Sequence, residues 1–250
     1  MEFSRKVIIF TTIYSAIQAV IYILLSILSM LSYLCVIESV YTLTPSLYMM
    51  HLYYFKSPLC KSDVNWEHLG LQNVSGVKML RRSYESSAVD RTLIISLFYL
   101  LFNCALLASS VIMYWKINLI SRNQLAAGIV LTSPFFISST LIYSLDIISA
   151  AYYSIDYTRA YTVDGAMTVL EVKNRHEILP LLDQLDPRIL TFGPALMMYT
   201  ALKFLIFFTL NTLVMVFAVP SMRDNLRANR RRTMETERRL IWSTSVPVMT

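Results

Sequence analysis

The stretch VIIFTTIYSAIQAVIYILLSILSMLSYLCVI, residues 7–37, decides the fold because it contains no charged side chain over its whole length. A helix of about 20 apolar residues crosses the ~30 Å hydrocarbon core of a bilayer. The apolar core of a cleavable signal peptide is only about 7–15 residues long, so this stretch exceeds it. We therefore expect residues 7–37 to remain in the protein as a membrane-spanning helix.

Three further apolar runs have the same character and cover residues 92–115, 125–155 and 194–222. The chain is 56% hydrophobic and 15% charged, which leaves little room for a large soluble domain. A short connection between the second and third runs makes them antiparallel neighbours. The sequence predicts an all-α membrane protein: an antiparallel bundle of four transmembrane helices in residues 1–222, followed by a basic cytosolic tail, residues 223–250.

The distribution of charge predicts that both termini face the cytosol. The segments then placed inside hold 11 basic and 4 acidic residues, and the longer outer loops hold 10 and 11. Basic residues near the ends of spans favour the cytosolic side. The six basic residues of the first loop argue against this orientation. The glycosylation sequon Asn73-Val74-Ser75 in the same loop favours it, and predicts a glycoprotein with two extracytosolic loops.

The three cysteines do not form an obvious disulfide framework. Cys35 and Cys104 lie in predicted spans, and Cys60 is alone in the first loop. We therefore expect no framework of disulfides outside the membrane, with a Cys35–Cys60 bridge as the less favoured alternative. This pattern argues against tetraspanins, connexins and claudins, which rely on paired loop cysteines.

The loop sequences predict local structure less strongly than the apolar runs do. Thr44-Pro45 is expected to end a helix that extends from the first span. The third connection should form one or two short amphipathic helices on the outer surface, broken at Pro180, and Pro194 suits the first turn of the fourth span. Aromatic residues at the start of the first loop are typical of a membrane interface; these are Tyr41, Tyr48, Tyr53, Tyr54 and Phe55.

Polar residues recur at steps of three and four along the first three spans, which places them on one face of each helix. In lipid, such faces turn towards neighbouring helices, where small and hydroxylated side chains pack and form hydrogen bonds. Gln18, Asn103 and Asn211 are expected to extend a polar core. The repeating positions are Thr11, Ser15, Gln18, Tyr22, Ser26, Ser29 and Tyr33, then Ser96, Tyr99, Asn103 and Ser110, then Ser139, Tyr143, Asp146 and Tyr153.

Asp146 and Lys203 are the charged residues within the four predicted spans, and their charges are opposite. Each lies about 14 Å from the outer end of its helix, counted at ~1.5 Å per residue. A lone charge at the bilayer centre costs about 2.5–3.5 kcal/mol, so we expect an intramembrane ion pair. The pair could be a static clasp, part of a transport or proton-relay pathway, or a docking point for another membrane protein.

The tail that follows Pro220 is rich in arginine. Each basic residue beside an anionic inner leaflet gains about 1 kcal/mol, so membrane lipids are the expected partner. An arginine-type retention signal or a patch for an acidic partner is the alternative, and a tail tethered to the membrane makes nucleic acid an unsuitable partner. The arginines are Arg223, Arg227, Arg230, Arg231, Arg232, Arg238 and Arg239.

The sequence lacks the motifs of catalysis and of metal binding. His51, His68 and His176 are scattered, and no pair has the spacing of metal ligands. No nucleophile elbow or glycine-rich phosphate loop is present. We therefore predict a protein that is not an enzyme and has no cofactor or bound metal.

A further set of features lies between Ser133 and Pro220, about a third of the chain: Pro134-Phe135-Phe136, Asp146, Lys203 and the leucine- and aspartate-rich loop Leu181–Pro187. In these features the chain resembles the lysosome-associated four-span transmembrane family and its invertebrate tetraspan relatives. The resemblance implies an endosomal or lysosomal adaptor of sorting and transport. The cysteine-rich N-terminus and the proline-tyrosine tail motifs of that family are absent here.

These observations together predict a non-enzymatic multi-pass membrane protein in an endosomal, lysosomal or plasma membrane. Its expected role is that of an adaptor, scaffold or regulator of other membrane proteins or lipids, with a membrane-protein partner or a second copy of itself. The alternative is a small transporter or channel subunit that uses Asp146 and Lys203.

Overall fold

The computed structural model describes residues 2–37, 44–57, 60, 66–71, 87–120, 125–202 and 234–235. The main elements of this part of the chain are helices. They are α1 (Glu2–Tyr33), α2 (Pro45–Tyr54), a 3-10 helix (Trp66–Leu69), α3 (Ser87–Ile120), α4 (Leu125–Ala160), α5 (Val163–Val169), α6 (Arg175–Leu182) and α7 (Pro187–Leu202).

Three of these helices are long and apolar enough to cross a membrane. The qualifying segments are Ile9–Tyr33 in α1, Ala88–Trp115 in α3 and Ser133–Ala160 in α4. Helix α7 covers only the first part of the predicted fourth span, residues 194–202, and the rest of that span lies outside the described residues. The all-helical membrane character is thus present, while the four-span count stays a prediction.

The expectation that the polar faces turn inward is confirmed for the described residues. In α1, the hydroxyl-bearing Ser26 and Ser29 are buried, whereas the neighbouring Leu24, Leu25 and Ile27 are exposed. The same contrast holds in α3 and α4. Apolar side chains on the outside and small polar side chains on the inside are the arrangement that suits helices in lipid.

Helix α1 ends at Tyr33, before the predicted Ile37, because the chain leaves the helix through a left-handed residue. Cys35 has φ 61°, its amide donates to the Ser32 carbonyl at 3.1 Å, and the Val36 amide donates to the Leu31 carbonyl at 2.9 Å. This pair of bonds is a Schellman motif, which usually has glycine at the left-handed position. Cys35 therefore lies just beyond the helix.

The chain divides into two compact units. The described part of the first unit contains the beginning of α1, residues 2–18, the end of α3, residues 105–120, the beginning of α4, residues 125–139, and residues 234–235. Its buried residues are largely small or hydroxylated, among them Thr12, Ser15 and Ser110. Small side chains let helix backbones approach closely.

The second unit contains residues 19–104 and 140–202 of the described chain, and its main core lies outside the three apolar segments. Helices α2, α5 and α6, the 3-10 helix and the start of α7 bury a common set of large side chains. We call this group of elements the helical cap. Its most buried large residues are Tyr53, Tyr54, Met49, Leu52, Leu69, Met167, Leu170, Ile178, Leu182 and Leu190.

The helical cap corrects two expectations about the first loop. Thr44-Pro45 starts a helix instead of ending one: the Thr44 hydroxyl accepts a hydrogen bond from the Leu47 amide at 3.3 Å, and Pro45 occupies the first turn. Threonine as N-cap followed by proline is a favourable helix start. Tyr53 and Tyr54 are buried in this helix and do not form an exposed interfacial belt.

The third connection forms two short helices, as predicted, but their placement differs. Pro180 lies inside α6 and does not break it. Ile178 and Leu182 are fully buried against the rest of the helical cap, so α6 is part of a packed core. Helix α7 begins at Pro187, well before Pro194, and the Asp186 carboxylate accepts a hydrogen bond from the Arg188 amide at 2.8 Å.

Helices α2 and α7 pack closely at Gly193. A Cβ atom at this position would lie 3.0 Å from the Cα of Met50. We expect Gly193→Leu to lower stability by about 1–3 kcal/mol, because added carbons overfill a close helix contact. Thermal unfolding in detergent measures the change, with Tyr199→Leu at an exposed position of the same helix as control. Equal unfolding temperatures for the two variants would contradict the close contact.

Candidate functional site

The polar centre of the second unit lies along one face of α4. Asp146, Ser149, Tyr153 and Asp156 follow one another at steps of three, four and three, and all four are buried. Such steps return to the same helix face. We call these four residues the α4 polar row. Asp146 and Asp156 stand at the two ends of the row, and their carboxylates have different surroundings.

Asp156 is enclosed by partners from two other helices. Arg91 of α3 forms an ion pair and a hydrogen bond with Oδ2 of Asp156, and the Tyr54 hydroxyl of α2 donates to the same oxygen at 3.3 Å. The Arg91 guanidinium also lies 4.9 Å from the centre of the Tyr152 ring, in cation–π contact. The carboxylate therefore connects α2, α3 and α4 at the edge of the helical cap.

The tyrosines beside Asp156 complete this connection. The Tyr54 and Tyr153 rings meet edge to face with centroids 5.2 Å apart, and the Tyr153 hydroxyl lies 3.4 Å from that of Thr92. Burial, followed by the negative charge of Asp156, raises the pKa of the Tyr54 phenol well above its usual value. Tyr54 is therefore protonated at physiological pH and acts as a hydrogen-bond donor.

Asp146, at the other end of the row, has a single partner among the residues that the structure describes. The Tyr99 hydroxyl of α3 donates to Oδ1, whereas Oδ2 is buried and has no hydrogen-bond partner there. Asn103 stands one turn further along α3, and its side-chain amide donates to the Tyr99 carbonyl at 2.8 Å. Lys203 lies outside the described residues, so the ion pair between Asp146 and Lys203 stays a prediction.

Helix α1 joins this centre through polar contacts with α3. The hydroxyls of Ser29 and Ser96 lie 2.9 Å apart, and the Tyr33 hydroxyl donates to Asp90 at 3.1 Å. These contacts are of the kind that holds helices together in lipid.

A disulfide joins Cys35 to Cys60, with the two Cα atoms 5.7 Å apart. The bridge is the alternative that the sequence favours less, and it is the one that the structure contains. The prediction placed Cys35 inside the first span, but the early end of α1 brings this residue to the first loop. Cys104 is free and exposed on α3.

The other residues singled out from the sequence are distributed as follows. Gln18 is buried, within the first unit, and Asn103 is buried in the second. Asn211, the sequon at Asn73 and the seven arginines of the tail lie outside the described residues. Within the described ranges, no group of three or more His, Cys, Asp or Glu residues is arranged to hold a metal ion.

Sequence reasoning did not identify the Asp156–Arg91–Tyr54 group. All three lie in predicted loops: Arg91 and Asp156 directly beside a predicted span, and Tyr54 in the middle of the first loop. A signal was nevertheless present, because one more step of three along the α4 pattern leads from Tyr153 to Asp156. The matching basic residue, Arg91, stands directly before the predicted start of the second span.

Comparison of this chain with protein-family models, with curated proteins and with solved structures finds no match. The resemblance to the lysosome-associated four-span family therefore stays an expectation that rests on the residues quoted above.

Proposed function

We propose that this protein is a non-enzymatic membrane protein that organises other membrane components, as an adaptor, scaffold or regulator. The observation that carries the proposal is the internal pairing of Arg91, Asp156 and Tyr54. An ion pair between two helices that also accepts a hydrogen bond from a third helix stabilises a structure, whereas a catalytic acid or base needs access to a substrate. The pairing supports a folded helical cap that serves as a binding surface.

The orientation that we propose places the helical cap on the extracytosolic side. Disulfides persist in oxidising compartments and are rare in the cytosol, and the Cys35–Cys60 bridge lies at the cap end of α1. This agrees with the charge distribution and with the position of the Asn73 sequon. A multi-pass protein of an endosomal, lysosomal or plasma membrane would then present its cap to the lumen or the exterior, and its arginine-rich tail to anionic cytosolic lipids.

Site-specific photo-crosslinking in cells tests the proposed role of the helical cap. A photoreactive amino acid at Tyr161 or Leu179, which are exposed next to and within the cap, should give a discrete protein adduct. The same group at Leu24, an exposed position within the apolar segment of α1, serves as control and should give mainly lipid adducts. Asp146→Asn should leave the cap adducts unchanged. If the cap positions yield no protein adduct, the adaptor proposal fails.

The alternative, a small transporter or channel subunit, is favoured by one observation: the unpartnered Oδ2 of buried Asp146. Intramembrane carboxylates often line ion or proton pathways. Purified protein in liposomes with an internal pH dye tests this directly. A proton flux that Asp146→Asn abolishes, and that Ser144→Ala at an exposed position of α4 does not change, would favour the transporter over the adaptor.

A further inference from the structure

We propose that Asp146 is a proton-binding site inside the membrane, whose carboxyl group is protonated at neutral pH. The inference is independent of whether the protein organises partners, because it concerns the chemical state of one side chain. The bound species is a proton taken from water, which adds to the carboxylate and gives a neutral acid.

The surroundings of the carboxyl group carry the proposal. Asp146 is only 3% exposed, Tyr99 donates to Oδ1, and Oδ2 has no hydrogen-bond partner among the described residues. An ionised carboxylate in an apolar interior is stable only when its oxygens are paired or hydrogen-bonded. Protonation of Oδ2 removes the charge and keeps the hydrogen bond from Tyr99.

The titratable groups that the structure places near this carboxyl are tyrosines. Helix α3 contributes Tyr99, α1 contributes Tyr22, whose ring centre lies 6.1 Å from that of Tyr99, and α4 contributes Tyr143 and Tyr153. The ion pair of Asp156 and Arg91 stands farther along α4, about 15 Å away at ~1.5 Å per residue.

Asp156 provides an internal contrast on the same helix face. Its Oδ2 accepts from both Arg91 and Tyr54, so this carboxylate is stabilised in the charged form. The α4 polar row therefore combines one ionised and one protonated carboxyl group.

Hydroxyl groups line the interval between these two carboxyls. They belong to Tyr99, Ser149, Tyr153 and Thr92, and the last two lie 3.4 Å apart.

Infrared spectroscopy of the full-length protein in nanodiscs tests the proposal. A protonated carboxyl group gives a carbonyl-stretch band that an ionised carboxylate lacks. With aspartate carrying a ¹³C carboxyl carbon, the wild-type protein should show such a band, shifted by the label. Tyr99→Phe removes the donor to Oδ1 and should move the band to higher frequency, and Asp146→Asn should abolish it.

Asp156→Asn is the matched control, because it removes the ion-paired carboxylate and should leave the band in place. If Asp146→Asn does not fold, the labelled wild type and Tyr99→Phe still decide the question. Absence of a labelled band in the wild type at neutral pH, as expected for a carboxylate paired with Lys203, overturns the proposal. A band that Tyr99→Phe leaves unmoved belongs to another aspartate and overturns it as well.

Discussion

Replacement of Arg91 by alanine should lower the free energy of unfolding by about 3–5 kcal/mol, which is the range for removing one partner of a buried ion pair. Asp156 is 3% exposed and would remain as a buried carboxylate that has lost its ion-pair partner and keeps the hydrogen bond from Tyr54. The loss of the cation–π contact with Tyr152 adds to the effect. Denaturant or thermal unfolding of the purified protein in detergent measures the change.

Two further variants distinguish the effect of losing the ion pair from a nonspecific loss of stability. Arg159→Ala removes an exposed arginine of α4 and should change stability by less than about 0.5 kcal/mol. The double replacement of Arg91 by methionine and Asp156 by leucine removes both charges, so it should recover much of the loss. An Arg91→Ala protein as stable as Arg159→Ala would refute the buried connection between α3 and α4.

Loss of the disulfide is the second large effect. Cys35→Ser should destabilise the protein by about 3 kcal/mol, because the bridge closes a loop across a separation of 25 residues and restricts the unfolded chain. Cys60→Ser should have a similar effect, and the double variant should lose little more, since each single change already opens the bridge. Thermal unfolding under non-reducing conditions measures all three.

The left-handed backbone at Cys35 allows a further test of the disulfide. Cys35→Gly also opens the bridge, but glycine adopts φ 61° without the penalty of about 1–2 kcal/mol that other residues incur. It should therefore be more stable than Cys35→Ser. Cys104→Ser, at the free and exposed cysteine, is the control and should behave as wild type. A Cys35→Ser protein that unfolds at the wild-type temperature, with and without reductant, would contradict a stabilising bridge.

The membrane helices could be predicted from the sequence because their determinant is local. An uncharged stretch of sufficient length must form a helix in lipid, and residues spaced by three and four mark its inward face. Ser29 and Ser96 followed this rule and meet across α1 and α3. Helix ends were less predictable, because Cys35 terminates α1 through backbone geometry that no side-chain pattern reveals.

The helical cap was not predicted because its core is assembled from distant segments. Tyr54 of the first loop and Ile178 of the third connection lie in short segments whose sequences show no distinctive pattern. The buried core forms only when such segments pack together. Of the polar centre, Asp146 stood out because a charge in an apolar run is costly. Asp156 did not stand out in the sequence, since a carboxylate at the end of a helix is usually solvated.

Hydrogen–deuterium exchange of the protein in nanodiscs tests most directly the claim that the helical cap is a packed structure. We predict slow exchange, over about minutes to hours, for the amides of residues 49–54 and 166–169, because these segments are helical and largely buried. Opening the disulfide or replacing Arg91 should accelerate exchange in the first of these segments. Complete exchange of both segments within seconds in the wild-type protein would contradict a packed helical cap.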